Sequence, residues 1–256
     1  MKKIFINVLF FIVFTSSGSA EMITMVTCNW QPFQGEDLPK QGFTAEIARQ
    51  ALNRKGHTFK LIFRPWARAV DQAKKGNYVA LFNPWKNKDN ENDFYFSNEI
   101  LGKGDGHFLD LPDSKLSNIA PKDLRGKIVG YIRAYPVSSE LIQLFESGTV
   151  KNHVVSGVTQ LIKLLRSGRI NLILENYHVA EHNFKISFPG QVFDLKIVGK
   201  DLVDGSLYIG WSKILPGTKE LRDEFDAAIL EMRMDGSIDK IKKEFGIVDF
   251  NFPHAK

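Results

Sequence analysis

A chain of 256 residues has room for one large domain or two small ones, and its 43% apolar content with twenty phenylalanines supports a sizeable aromatic core. Net charge is +5 overall and falls to +3, 32 basic against 29 acidic residues, without residues 1–20. That balance is too mild for a nucleic-acid partner, and one cysteine, Cys28, excludes an internal disulfide.

The N-terminus reads as a cleavable secretory signal. Lys2-Lys3 is the charged region, Ile4–Phe14 the apolar run, and Gly18 and Ala20 stand at −3 and −1 of a cleavage site. The run is too short for a spanning helix, which needs about 20 apolar residues. The expectation is an exported, periplasmic, monomeric protein. Met22–Cys28 reads as the first strand, and Pro32 forces Asn29–Phe33 into a loop. Gly42-Phe43 opens a helix to about Arg54, with Phe43, Ile47, Ala51 and Leu52 on its apolar face. Thr58–Phe63 is a second strand. Pro65 suits the first turn of a helix that buries Trp66, Ala69, Val70 and Ala73. Tyr78–Phe82 is a third strand, feeding a loop, Asn83-Pro84-Trp85-Lys86, where open α/β sheets place their ligands.

This β-α-β-α-β plan restarts at residue 124. Leu124–Ile132 is a strand, Ser138 or Ser139 caps a helix carrying Leu141, Leu144 and Phe145, and His153–Val155 is a strand. Val158–Ser167 is a helix and Ile170–Leu174 a strand. Two units of one plan predict two lobes with a cleft between them, where small-molecule sites tend to lie. The chain ends with a strand over Ser206–Trp211, a helix capped by Thr218 and a last helix from Ser237.

Several positions draw a site reading from the residues alone. Trp30 and Phe33 flank a proline in a loop, Trp85 is a large aromatic after Asn-Pro, and Arg133 and Glu175 stand at strand ends. An arginine there offers a planar fork to a carboxylate. Trp66 reads as core packing from its helical spacing, and Arg68 as a surface or rim charge. His178-Val-Ala-Glu-His182 matches the inverted zincin pattern, but no third ligand is apparent, so an exposed helix face is preferred. Asp89–Asp93 alternates oxygen ligands yet lacks the glycine and glutamate of a calcium loop. These readings give no catalytic residue, no metal and no cofactor.

The order and spacing of Trp30-Gln-Pro-Phe33, Gly42–Ile47, Gly76–Ala80, Phe96-Ser97, Leu124–Lys127, Leu165–Ile170 and Met234–Ile241 resemble the family 3 extracellular solute-binding proteins. These are periplasmic receptors of polar amino-acid ABC transporters. Arg64-Pro-Trp-Ala-Arg-Ala69 is typical of a divergent branch. The resemblance implies an α/β, two-lobed type II periplasmic-binding fold, each lobe a β-sheet flanked by helices. Two crossover hinge segments, near residues 100–108 and 196–207, join lobe 1 (21–104 plus 204–256) to lobe 2 (105–203). It implies a small polar solute and a membrane ABC permease as partners. It also implies ligand contacts at Trp30, Asn83 and Trp85, and at Tyr135 with Arg133 just before it. The family's carboxylate-clamping arginine falls on Asn90, and its ammonium-binding aspartate falls on Asn176, with Glu175 beside it. Either Arg133 and Glu175 replace that charged pair, or the ligand is not an ordinary α-amino acid. An enzyme on the same fold, dehydrating cyclic acids, and a sensor subunit for a membrane receptor are the alternatives.

Overall fold

The structure is a computed structural model that describes residues 21–98, 101–200 and 205–247. The predicted signal segment and parts of both predicted crossovers lie outside these residues. Eleven strands and seven α-helices form two sheets among the described residues. β1 (Met22–Thr27), β2 (Thr58–Phe63) and β3 (Ala80–Trp85) are parallel and alternate with α1 (Phe43–Arg54) and α2 (Trp66–Lys74). β4 (Phe94–Phe96) and β5 (Gly102–Lys103) follow, and β11 (Ser206–Ser212) returns antiparallel to β3, β4 and β5. The order across this sheet is β2-β1-β3-β11-β4.

The second sheet has the order β10-β6-β9-β7-β8. It holds β6 (His107–Asp110), β7 (Ile128–Ile132), β8 (Lys151–Val155), β9 (Leu172–Glu175) and β10 (Lys196–Lys200). Its helices are α3 (Ser139–Glu146), α4 (Val158–Arg166) and α5 (Tyr177–Ser187). α6 (Thr218–Met234) and α7 (Ser237–Glu244) then pack on the first lobe, where Phe225, Ile229, Met232 and Ile241 are buried. Both parallel arrangements follow from βαβ units, whose helices cover the sheet faces: β3 and β9 are buried throughout, while the edge strand β8 keeps Lys151, Asn152 and His153 exposed.

The chain leaves the first sheet at Gly104 and comes back at Gly205, and the two passes touch: Gly104 N–H donates to Gly205 C=O at 2.8 Å. A Cβ at Gly205 would stand 2.4 Å from Asp105 Cα, so this close approach of two backbones requires glycine.

Two local expectations are corrected. The third strand does not stop at Phe82. It runs on through Trp85 with all six residues buried. Trp85 pairs with Leu207 and Phe82 with Ile209, so Asn83 and Pro84 together oppose Tyr208 alone. This is a bulge, where proline needs no ladder N–H. Asn83 takes φ +58°, a conformation that Asn tolerates better than most residues. Thr218 does not cap α6. Gly217 is the N-cap, and the Thr218 hydroxyl donates instead to Ser212 C=O at 2.7 Å. In the second lobe Ser138 takes the α3 cap, its Oγ accepting from Leu141 N–H.

Candidate functional site

Three tryptophans of the first lobe converge on the second. Trp30, in the loop after β1, stacks on Phe33 with ring centroids 4.4 Å apart. Trp85, at the end of β3, stands edge-on to Trp30 at 6.0 Å. Trp66 opens α2 and donates its indole N–H across the cleft to Ala134 C=O at 3.1 Å. From the second lobe, the Tyr135 ring after β7 meets Trp85 at 5.3 Å.

Glu175, the last residue of β9, is fully buried at the centre of this junction. Its Oε1 accepts from Trp30 Nε1 at 3.2 Å and from Asn176 N–H at 2.8 Å. Its Oε2 accepts from the Tyr135 hydroxyl at 3.3 Å. The lobes are thus joined by a carboxylate of one lobe and an indole of the other. Burial pushes the Glu175 carboxyl up to about 7, against the pull of its three donors. Burial also pushes the nearby Cys28 thiol up to about 12, assisted by the Glu175 charge. That thiol is protonated at neutral pH and unsuited to nucleophilic work.

Trp30, Trp66, Trp85, Tyr135 and Asn83 wall a cavity of about 20 Å³, room for about one water molecule. A second cavity of about 420 Å³ shares Cys28, Trp66 and Tyr135 with it and has a mixed lining that includes Arg64, Glu36, Ser156 and Thr159. The small cavity is the more informative because a hydrogen-bond relay fixes one of its walls. The Thr27 hydroxyl donates to Phe82 C=O, so its oxygen accepts from Gln34 Nε2. Gln34 Oε1 then accepts from Asn83 Nδ2 at 2.7 Å. The Thr44 hydroxyl donates to Phe33 C=O and accepts from the same Nδ2 at 2.9 Å. Each hydroxyl proton is already committed to a backbone carbonyl, which orients both amides. The atom of Asn83 left over is its oxygen. Asn83 is only 6% exposed, and Oδ1 has no partner. Trp85 Nε1 is likewise buried without a partner.

The expected site residues divide into three groups. Trp30, Asn83, Trp85 and Tyr135 line the small cavity, with Glu175 directly behind Trp30 and Tyr135. Phe33 does not face it: the ring is fully buried between Trp30 and Phe43 and supports Trp30 from behind. Asn176 is also turned away. It caps α5, accepting from His178 and Val179 N–H, while its Nδ2 donates to Asp105 C=O. Arg133 is exposed and lines neither cavity, and its backbone N–H pairs with Val155 C=O. Asn90 ties its own loop, donating from Nδ2 to Trp85 C=O. Arg133 and Glu175 are therefore not brought together as a clamp: Arg133 is exposed and absent from the lining of the cavity that Glu175 backs.

Sequence reasoning missed Trp66, Gln34, Thr44 and Cys28. Helical spacing places Trp66 beside Ala69, and Trp66 is indeed buried in the core, but the first turn of α2 also lies at the cleft, so its indole N–H reaches the second lobe. His178 and Glu181 of the zincin-like motif lie 3.8 Å apart on α5, and no group of three metal-ligating side chains occurs among the described residues.

Two sheets flanked by helices, crossed twice by the chain and meeting at a shared aromatic cavity, define a two-lobed type II periplasmic-binding fold. The chain belongs to the bacterial extracellular solute-binding proteins, family 3, whose family model matches residues 23–247. The arginine-binding extracellular protein ArtP of Bacillus subtilis (strain 168) is 21% identical over 237 residues, covering 90% of this chain and 88% of its own. An ancestral arginine-binding protein solved with arginine superposes with a TM-score of 0.73 at 19% identity, covering 88% of this chain and 97% of its own. A histidine kinase sensor domain similar to periplasmic binding proteins also superposes with a TM-score of 0.73, at 15% identity, covering 88% and 95%. At such identities the structural likeness carries the fold alone.

Proposed function

We propose that the protein captures a small polar solute, an amino acid or a related compound, between its lobes and presents the closed form to a membrane ABC permease. On this reading the lobes divide near residues 104/105 and 203/204, and Trp30, Asn83, Trp66, Trp85 and Tyr135 form the solute contact. The observation that carries the reading is a cavity whose walls come from both lobes. A solute with one polar group in it and the remainder in the adjoining cavity of about 420 Å³, which is also lined from both lobes, touches all of them only when the lobes are together, so binding free energy drives closure. The site is read as binding and not catalytic, since the Glu175 carboxyl, which burial raises to about 7, is sealed by three donors from the protein itself. A general acid or base must reach its substrate's proton. The likeness to a kinase sensor domain keeps one second reading: the closed form is read by a membrane receptor instead of a permease.

A thermal-shift screen of residues 21–256 against amino acids, amines, small acids and short peptides tests the reading. A solute at 100 times its Kd adds about 2.7 kcal/mol of stability. Small-angle scattering with the best solute should then show a smaller radius of gyration or a narrower spread of conformations. A solute that binds tightly and leaves the scattering unchanged contradicts capture by closure.

A further inference from the structure

The relay that fixes Asn83, the four aromatic walls and the buried Glu175 make one consistent demand on whatever fills the small cavity. Asn83 Oδ1 is an acceptor lacking a donor. Glu175 is a buried carboxylate whose environment consists of burial, one backbone N–H, one indole and one phenol, with no cation among them. Among the described residues no Lys, Arg or His lines this cavity. Aromatic rings attract cations through their quadrupoles, most strongly where water is excluded. Carboxylate and rings favour a cation and the acceptor takes its N–H, while the one unpartnered donor of the wall, the Trp85 N–H, is neutral.

We propose that this cavity is a subsite for an organic amine: a protonated primary or secondary amine donates one N–H to Asn83 Oδ1, sits among Trp30, Trp66, Trp85 and Tyr135, and balances the charge of Glu175. No ligand carboxylate is required. Any remainder of the ligand extends past Trp66 and Tyr135 into the larger cavity that shares them. The buried Trp85 N–H is the donor of the wall that lacks a partner, and it suits an oxygen carried beside the amine or a water. The inference rests on the capture reading above and narrows its solute class from polar solutes to amines.

The charge balance gives the subsite a pH signature. A cation favours ionised Glu175, so affinity rises with pH through the range where burial has raised that carboxyl, about tenfold from pH 6 to 8 for an acid titrating near 7. Burial shifts the other titratable groups around Glu175 away from that range. Burial holds the Tyr135 hydroxyl and the Cys28 thiol neutral. His107, opposite Glu175 across the β6–β9 pair, is lowered by burial, with Asp105 acting on it in the other direction.

The test is titration calorimetry at pH 6 and 8 with three matched pairs, each an amino acid and its decarboxylated amine: serine and 2-aminoethanol, lysine and cadaverine, arginine and agmatine. At pH 8 at least one amine should bind as tightly as its parent or more tightly. It should weaken about tenfold at pH 6, and tenfold or more on Glu175→Gln. Asn83→Gly keeps the positive φ, removes the acceptor, and should also weaken it tenfold or more. Tetramethylammonium, a cation without N–H, should bind at least tenfold more weakly than that amine. The proposal is overturned if no amine binds, if every parent binds tenfold more tightly than its amine, or if neither variant loses affinity. If amino acids alone bind and compact the protein, the amine subsite fails while capture by closure stands.

Discussion

Replacing Glu175 by Gln isolates the charge at the lobe junction while keeping its shape. In the folded chain burial raises this carboxyl from 4.5 to about 7. A raised folded pKa stabilises the closed fold fully below the unfolded value and loses that contribution as pH climbs through the folded value. The window is therefore from about pH 4.5 to just above 7. A displacement of this size, at 1.36 kcal/mol per pKa unit, is worth about 3 kcal/mol. The substituted amide keeps an acceptor for Trp30 and Asn176 and turns its nitrogen toward Tyr135, whose hydroxyl can accept. Wild type should therefore lose about 3 kcal/mol relative to Glu175→Gln between pH 4.5 and 8. At 2–4 °C per kcal/mol for a chain of this size, the variant should melt roughly 6–12 °C higher than wild type at pH 8 than it does, by comparison, at pH 4.5. Urea and thermal unfolding of both proteins across that range measure the difference curve. Parallel curves, with no pH-dependent gap, would refute the claim that a buried carboxylate without a cation joins the lobes.

Trp30→Ala should destabilise the protein by about 3–5 kcal/mol through the cavity left over Phe33, and Trp30→Phe by about 1–3 kcal/mol, mainly from the lost Glu175 bond, both read by urea unfolding. Asn176→Ala should cost about 1 kcal/mol through the lost α5 cap and leave solute affinity within twofold by calorimetry. Gly104→Ala puts a Cβ 2.3 Å from Trp30 Cη2. Its indole must move, so scattering should show a larger radius of gyration with solute present than for wild type. Arg133→Ala should leave affinity within twofold, because the side chain lies outside both cavities.

Much of the architecture was legible because hydrophobic period and punctuation agree along this chain. Each of α1, α2 and α4 begins at a glycine or proline and carries its apolar face at helical spacing, and the strands between them are short apolar runs. What local pattern does not encode is which end of an element meets the other lobe. Trp66 has the spacing of a core residue, yet its indole crosses the cleft. Asn83-Pro84 carries strong loop chemistry, yet a bulge opposite Tyr208 keeps both residues in the sheet. Asn176 matches a family ligand position in register, but Asn before a helix also makes a good N-cap, and the cap takes its oxygen. The Gln34–Asn83–Thr44 relay joins residues 39 to 49 positions apart, and its hydrogen-bond directions depend on which carbonyls the two threonines reach. No one-dimensional pattern specifies that.

The central claim is that solute is held in the cavity shared by the two lobes. A crystal structure of residues 21–256 with the solute that raises the melting temperature most tests it directly. The account predicts a polar group of the solute between Trp30, Trp85 and Tyr135, with its N–H on Asn83 Oδ1, and the remainder in the larger cavity that shares Trp66 and Tyr135. A solute bound elsewhere, with Asn83 Oδ1 still unpartnered, would contradict it.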